Sequence, residues 1–201
     1  FRTRRELQKW LTLGYVDFAE VFRGFGELTI RVREAGCTAS EGFDKFAITY
    51  ERCWCLERKA DQSDCAWLLV YSLKPKVVHL GTPCTKMSQI GTRNIDAATR
   101  AQHRFTRDVV EHQQALGFGA SVENPKGSLF LEQPEFVEVF GTIDSPKKGW
   151  SFYRSEGCQL HVVYPGQDDP GRPMEKACFW IANFDLSAID LRCRKPPALM
   201  P

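Results

Sequence analysis

The stretch Val16-Asp17-Phe18-Ala19-Glu20-Val21-Phe22-Arg23-Gly24-Phe25-Gly26 decides how the chain is read. Val16 to Phe22 is an apolar run of strand length that empties into a turn holding two glycines. Leu28 to Ala35 then has helical character and stops at Gly36, a helix-ending glycine. Strand, glycine turn and helix in that order form half of a βαβ unit, and the amides of such a turn face a ligand.

Working outward, Cys37 to Glu41 reads as a short second strand and Lys45 to Tyr50 as helical. Ala66 to Leu73 is helical until Lys74-Pro75 breaks it, and Val77 to Gly81 is a buried strand of continuous apolar character. Asp96 to Leu116 is the clearest helix, with Phe105, Val109, His112 and Leu116 on one face. Gly117 and Gly119 close it, and Ala120 to Glu123 enters another strand. This alternation predicts a doubly wound, mainly parallel α/β sheet, with ligands beyond the carboxyl ends of the strands. Later, Pro134 to Trp150 reads as surface helix and loop. Leu160 to Tyr164 and Cys178 to Ala182 read as an antiparallel C-terminal hairpin at the sheet edge.

The 201 residues suit one domain, expected over 16–195, with a basic extension at 1–15 and a tail at 196–201. No apolar run is long enough to cross a bilayer as a helix. A formal charge of +2 argues little for nucleic acid by itself. The clusters Arg2, Arg4, Arg5, Lys9 and Arg192, Arg194, Lys195 suit solvated termini. Eight scattered cysteines in a chain this large point to a reducing, intracellular setting rather than a disulfide scaffold. Cys53-Trp54-Cys55 lacks zinc-knuckle spacing and the four histidines are dispersed, so no structural metal is expected.

Three strand ends carry chemistry. Gly24 and Gly26 let a backbone approach a ligand closely, and Glu41, a helix length later, is placed to accept from ribose hydroxyls. Phe43 is a candidate cover for an adenine face, and Asp61 or Asp64 a partner for its amino group. In Gly81-Thr82-Pro83-Cys84, the proline fixes the strand exit and projects a thiol into the crevice; a helix starting soon afterwards would favour the thiolate. Val122-Glu123-Asn124 sets a carboxyl group beside the same crevice.

The ordered set Glu20-Val21-Phe22-Arg23-Gly24-Phe25-Gly26, Ser40-Glu41-Gly42-Phe43, Gly81-Thr82-Pro83-Cys84-Thr85-Lys86-Met87-Ser88 and Val122-Glu123-Asn124-Pro125 resembles the motifs of the cytosine-5 DNA methyltransferase family. The match covers roughly 16–130. It implies a Rossmann-like fold of the S-adenosylmethionine-dependent methyltransferase type. The cofactor would sit among Glu20, Phe22, Gly24, Gly26, Glu41, Phe43, Asp61 and Pro83. Cys84 would attack C6 of a cytosine flipped out of the stack, with Glu123 on N3. Ser88, Asn124, Arg154, Gln159 and His161 would meet the substrate, DNA or RNA.

Departures from the family pattern are specific. Thr85 stands where glutamine usually follows the cysteine, Met87 replaces an aromatic, and Pro125 replaces a valine. The family's Gln-x-Arg-x-Arg motif is absent as such, Gln159-Leu160-His161 with Arg154 upstream being its nearest counterpart. No separate target-recognition domain is expected, so another chain or region would supply that part. The sequence therefore also accommodates a catalytically retired fold serving as a subunit of a larger assembly.

Overall fold

The structure is a computed structural model that describes residues 15–84, 86–87, 95–156 and 177–190. Its core is a five-stranded sheet built from β1 (Phe18–Val21), β2 (Val77–Leu80), β3 (Gly119–Pro125), β4 (Ser151–Glu156) and β5 (Ala177–Ala182). The spatial order is β1-β2-β3-β5-β4. β1, β2 and β3 run parallel, with Glu20 beside His79 and His79 beside Ser121. β5 is antiparallel to β3 and to β4, so β4 again points the way of the first three.

Four helices flank the sheet: α1 (Glu27–Glu34), α2 (Lys59–Trp67), α3 (Ala97–Ala115) and α4 (Pro134–Phe140). α1 returns the chain to a segment that bridges β1 on the side away from β2, whereas α2 and α3 carry it the other way. Right-handed crossovers therefore put α1 on one face and α2 and α3 on the other. The direction of winding reverses between β1 and β2, and their carboxyl ends open onto that switch point. The doubly wound, mainly parallel fold expected from the sequence is what forms.

Several details differ from expectation. Cys37 to Glu41 does not make a regular strand; the segment running on to Phe43 pairs with β1 through two isolated parallel bridges, Phe18–Ala39 and Val21–Phe43. Gly42, at φ 78°, takes the chain out of extended geometry between them. Lys45 to Tyr50 is not a helix. The Asp44 carboxylate accepts from the Phe46 amide at 2.9 Å, an Asx turn that competes with helical bonding. Tyr50 and Glu51 then adopt φ 51° and 65°, a tight reversal that brings Thr49 back against Arg52.

Helix α2 runs straight into a π-helical turn, Leu68–Leu73, and breaks at Lys74 before Pro75, as the sequence indicates. On α3 the buried stripe runs through Gln102, His103, Thr106, Val110 and Gln113, flanked by Phe105 and Val109, while Leu116 is 54% exposed. Two polar side chains on this buried face hold neighbouring loops: Gln113 Nε2 donates to Pro75 O at 3.2 Å, and the Thr106 hydroxyl bonds to that of Thr82. The partner of β5 is Ser151–Glu156. The other expected hairpin strand, Leu160 to Tyr164, lies outside the described residues.

The core is aromatic at both ends of the helical layer. Phe130 and Phe136 stack at 3.9 Å between centroids, and Phe140 meets Trp150 edge-on at 4.7 Å. On the other side, Phe43 packs edge-on to Trp54 at 5.0 Å.

Candidate functional site

β1 is fully buried and ends against an abrupt change of direction. Phe22 has φ 57°, a left-handed conformation that costs a bulky residue about 1–2 kcal/mol. Its amide donates to Phe43 O at 2.8 Å and its ring meets Phe105 of α3 edge-on at 6.4 Å. Gly26, at φ 75°, then starts α1 without any side-chain cap of its own. The cap comes from the strand instead: Glu20, 6% exposed, accepts from the Thr29 amide at 3.0 Å and from the Thr29 hydroxyl. Burial raises the Glu20 carboxyl above its ordinary value, the Thr29 bonds opposing it and Asp44 nearby adding to it.

The second acidic segment folds over this turn. Gly24 N donates to Asp44 Oδ2 at 3.0 Å, so an internal carboxylate already sits on one turn amide. Glu41 lies in the same segment, exposed, with its carboxylate 3.4 Å from the Arg33 guanidinium and its amide donating to the Tyr50 hydroxyl at 3.0 Å. Phe43 is completely buried between Tyr50 and Trp54, so its ring is committed to the protein interior. Asp61 sits in the first turn of α2, accepts from Cys55 N at 3.0 Å and pairs with Arg52. Arg52 also holds Asp64 at 2.6 Å. Both acids expected beside an adenine amino group are thus engaged with one guanidinium.

The exits of β2 and β3 are tied to each other and to β1. Gly81 N donates to Val21 O at 3.0 Å. A side chain at Gly81 would come within 2.9 Å of Phe22 O, so only glycine lets the two strand ends approach this closely. Thr82 is anchored from both sides: its hydroxyl bonds to that of Thr106 on α3 at 3.0 Å, and its carbonyl accepts from Asn124 Nδ2, also at 3.0 Å. Pro83 and Cys84 follow directly, half-buried. Met87 N donates to Cys84 O at 2.8 Å, closing a turn, and Met87 is itself buried with its carbonyl taken by Leu129 N. Met87 therefore serves as an apolar anchor that pulls the far side of the cysteine turn into the core.

Residues 88–94, where the helix expected soon after Cys84 would begin, lie outside the described residues. Lys86 pairs with Asp96, which caps α3 by accepting from Thr99 N at 2.8 Å. These bonds hold the Asp96 carboxyl well below the usual carboxylate range.

Alternation along β3 sorts its residues. Ser121 and Glu123 share a face with His79, whose Nδ1 lies 2.9 Å from Ser121 Oγ, and with Trp180, the cross-strand neighbour of Glu123. Asn124 points to the opposite, α3 face, where it is 2% exposed. Its Nδ2 holds the cysteine loop, which makes it a positioning residue, while its Oδ1 is buried with no hydrogen-bond partner among the described residues. Arg154 is also on the face opposite Glu123, and its guanidinium engages Glu156. Ser88, Gln159 and His161 lie outside the described residues.

Replacing Asn124 with aspartate keeps the shape but removes the donor to a buried carbonyl. The expected cost is about 1–3 kcal/mol, read by urea unfolding. Wild-type stability in Asn124→Asp would mean the bond to Thr82 does not hold the loop.

The structure thus gathers Glu20, Phe22, Gly24, Gly26 and Glu41 around the turn, and Pro83, Cys84 and Glu123 at the neighbouring strand ends. Sequence reasoning passed over Asp44, Thr82 and Arg23. The first two carried a readable signal, a polar residue directly after a buried strand or bridge, where loops are pinned.

No protein-family model matches the chain, and no curated protein does. Among solved structures, the crystal structure of S. pombe Dnmt2 methyltransferase matches with a TM-score of 0.51 at 13% identity. The match covers 86% of this chain and 51% of that one, so the chain spans about half the length of its structural relative. At this identity the likeness concerns the fold: the chain has a methyltransferase-type, Rossmann-like fold.

Proposed function

We propose that this chain is the catalytic part of an S-adenosylmethionine-dependent methyltransferase acting on C5 of cytosine in DNA. The observation that carries the reading is the Asn124–Thr82 bond. It fastens the loop that bears Cys84 to the strand that bears Glu123, at the carboxyl end of a doubly wound sheet.

The cofactor fits in kind. Gly26 and Gly42 carry no side chain between the turn and the Glu41 segment, and the atoms nearest to both positions belong to one flexible side chain, with Glu20 O the backbone atom beside Gly42. Glu41 would meet the ribose and the Gly24–Gly26 turn the amino-acid end. When bound, the cofactor supplies a methyl group on a sulfonium.

The chain's residues prepare the acceptor. The Cys84 thiolate adds to C6 of a flipped cytosine, forming an S–C6 bond, while Glu123 delivers a proton to N3 and neutralises the ring charge. C5 thereby becomes enamine-like and takes the methyl group. The N3 proton returns to Glu123, and loss of the C5 proton to a base breaks the S–C6 bond, expels the thiolate and restores the ring. Target recognition is assigned to another region or chain.

The test is covalent trapping on oligonucleotides bearing 5-fluorocytosine, with S-adenosylmethionine present. The fluorine cannot leave as a proton does, so the adduct persists through denaturing electrophoresis. Wild-type protein is expected to form it with DNA, Cys84→Ala to form none, and Glu123→Gln to form it about 10²–10⁴-fold more slowly. An adduct that survives Cys84→Ala sinks the nucleophile. An adduct with RNA alone moves the substrate class.

A second reading, a retired fold acting as a subunit of a larger assembly, is favoured by one observation. Asp44 and a neighbouring arginine already occupy the glycine turn. Absence of any adduct on either polymer would favour it.

A further inference from the structure

The side chain between the turn and the acidic segment is Arg23, which the family-like motif places where the chain has just left β1. Gly26 and Gly42 face it from opposite sides. A Cβ on Gly26 would stand 2.6 Å from Arg23 Cζ, and one on Gly42 would stand 2.6 Å from Arg23 Cδ. The stem and head of one arginine thus fill both spaces that the two glycines leave open.

Its polar anchoring is incomplete. Nη1 donates to Glu41 O and Nη2 reaches Phe25 O at 3.3 Å, a long bond. Nε is buried and has no hydrogen-bond partner among the described residues. A buried donor without a partner costs roughly 1–3 kcal/mol, which favours a conformation in which the guanidinium reaches water. The left-handed backbone at Phe22 changes the chain's direction directly before Arg23.

We propose that Arg23 is a displaceable occupant of the adenosyl cleft, a residue that sets cofactor affinity by having to swing out before the ligand enters. This rests on the reading of the site as an S-adenosylmethionine cleft. A ligand spanning from the Gly24–Gly26 turn to Glu41 needs the volume the guanidinium fills, so its measured affinity is reduced by the fraction of molecules in which Arg23 is in place. The arrangement also accounts for a turn that has the residues of a binding site while being closed by its own chain.

The experiment is calorimetric titration of the full chain with S-adenosylhomocysteine, comparing wild type, Arg23→Ala and Arg23→Lys, with melting curves to confirm folding. Arg23→Ala is expected to bind about tenfold more tightly or better, a gain of about 1.4 kcal/mol. Arg23→Lys, which keeps length and charge but cannot clamp two carbonyls, is expected to fall between. Equal or weaker binding by Arg23→Ala overturns the proposal and leaves the adenosyl cleft standing. If Arg23→Ala does not fold, Arg23→Lys decides: tighter than wild type supports the proposal, unchanged affinity overturns it. No binding by any of the three at millimolar ligand overturns both the proposal and the cofactor assignment.

Discussion

Trp54→Ala is expected to lower stability by about 3–5 kcal/mol, and with it the melting temperature by about 10 °C. The ring is 1% exposed and packs edge-on against Phe43 and Tyr50, with the Arg52 guanidinium 4.3 Å above it. Its Nε1 donates to Thr49 O at 2.9 Å, and its amide to Asp44 O at 3.1 Å. Removal leaves a large cavity under the segment that carries Glu41 and Asp44. Backbone bonds from Ser40 N to Phe18 O and from Phe43 N to Glu20 O, both 2.9 Å, join that segment to β1, and the Trp54 ring packs against Phe43 beneath it. The same variant should therefore bind adenosyl ligands less well, even at temperatures where it is fully folded. Trp54→Phe retains most of the packing and should recover more than half of the lost stability. Differential scanning calorimetry on both variants checks this, and a loss below about 1 kcal/mol for Trp54→Ala would show that the cluster is not what holds the segment.

The second large effect is on acid stability and comes from His79. The imidazole is completely enclosed in the sheet, 2.9 Å from Ser121 Oγ and lying over Trp180 at 5.1 Å. Desolvation lowers it from its ordinary 6.5 to about 4. Because the folded value lies below the unfolded one, the unfolded chain takes up the proton first as pH falls. The contribution is fully present above 6.5 and is lost progressively down to about 4. The separation of those two values is worth roughly 3 kcal/mol. Glu20, whose carboxyl is raised, acts in the opposite sense: its burial costs least at low pH and grows as pH rises through its folded value. Comparing wild type with His79→Gln cancels Glu20 and every other common group. The variant should lose about 3 kcal/mol less than wild type between pH 6.5 and 4, measured by urea unfolding at each pH. Parallel pH profiles for the two proteins would mean the ring is hydrated and titrates normally.

Much of this architecture is legible in the residues, for reasons that are physical. β1, β2 and β3 are largely buried because parallel strands are covered on both faces, and a glycine (Gly24, Gly81 and Gly127) follows each within three residues. The motif residues at their carboxyl ends could be placed from that alone. Lys45 to Tyr50 misled because its apolar spacing suits a helix, whereas Asp44 and the reversal at Tyr50 and Glu51 decide the backbone. β4 escaped notice because Ser151-Phe152-Tyr153-Arg154-Ser155-Glu156 is polar and forms an edge. The side of the sheet to which Glu123 and Asn124 point follows only from the register with β2 and β5. That Arg23 lies in the cleft depends on two glycines sixteen residues apart in sequence meeting across one side chain, which no local pattern encodes.

The strand latest in sequence among the described residues is not an edge. β5 lies between β3 and β4, and among the described residues β5 is the strand that pairs with β4. As the chain emerges from synthesis, β3 and β4 are complete well before the residues that join them exist. Both must wait with open backbone groups until Ala177–Ala182 slots in, a pairing of high sequence separation and therefore slow. Chaperone demand should thus last until Ala177–Ala182 has been made, while the Glu123 strand still has a bare flank and the thiol loop above it is already in place.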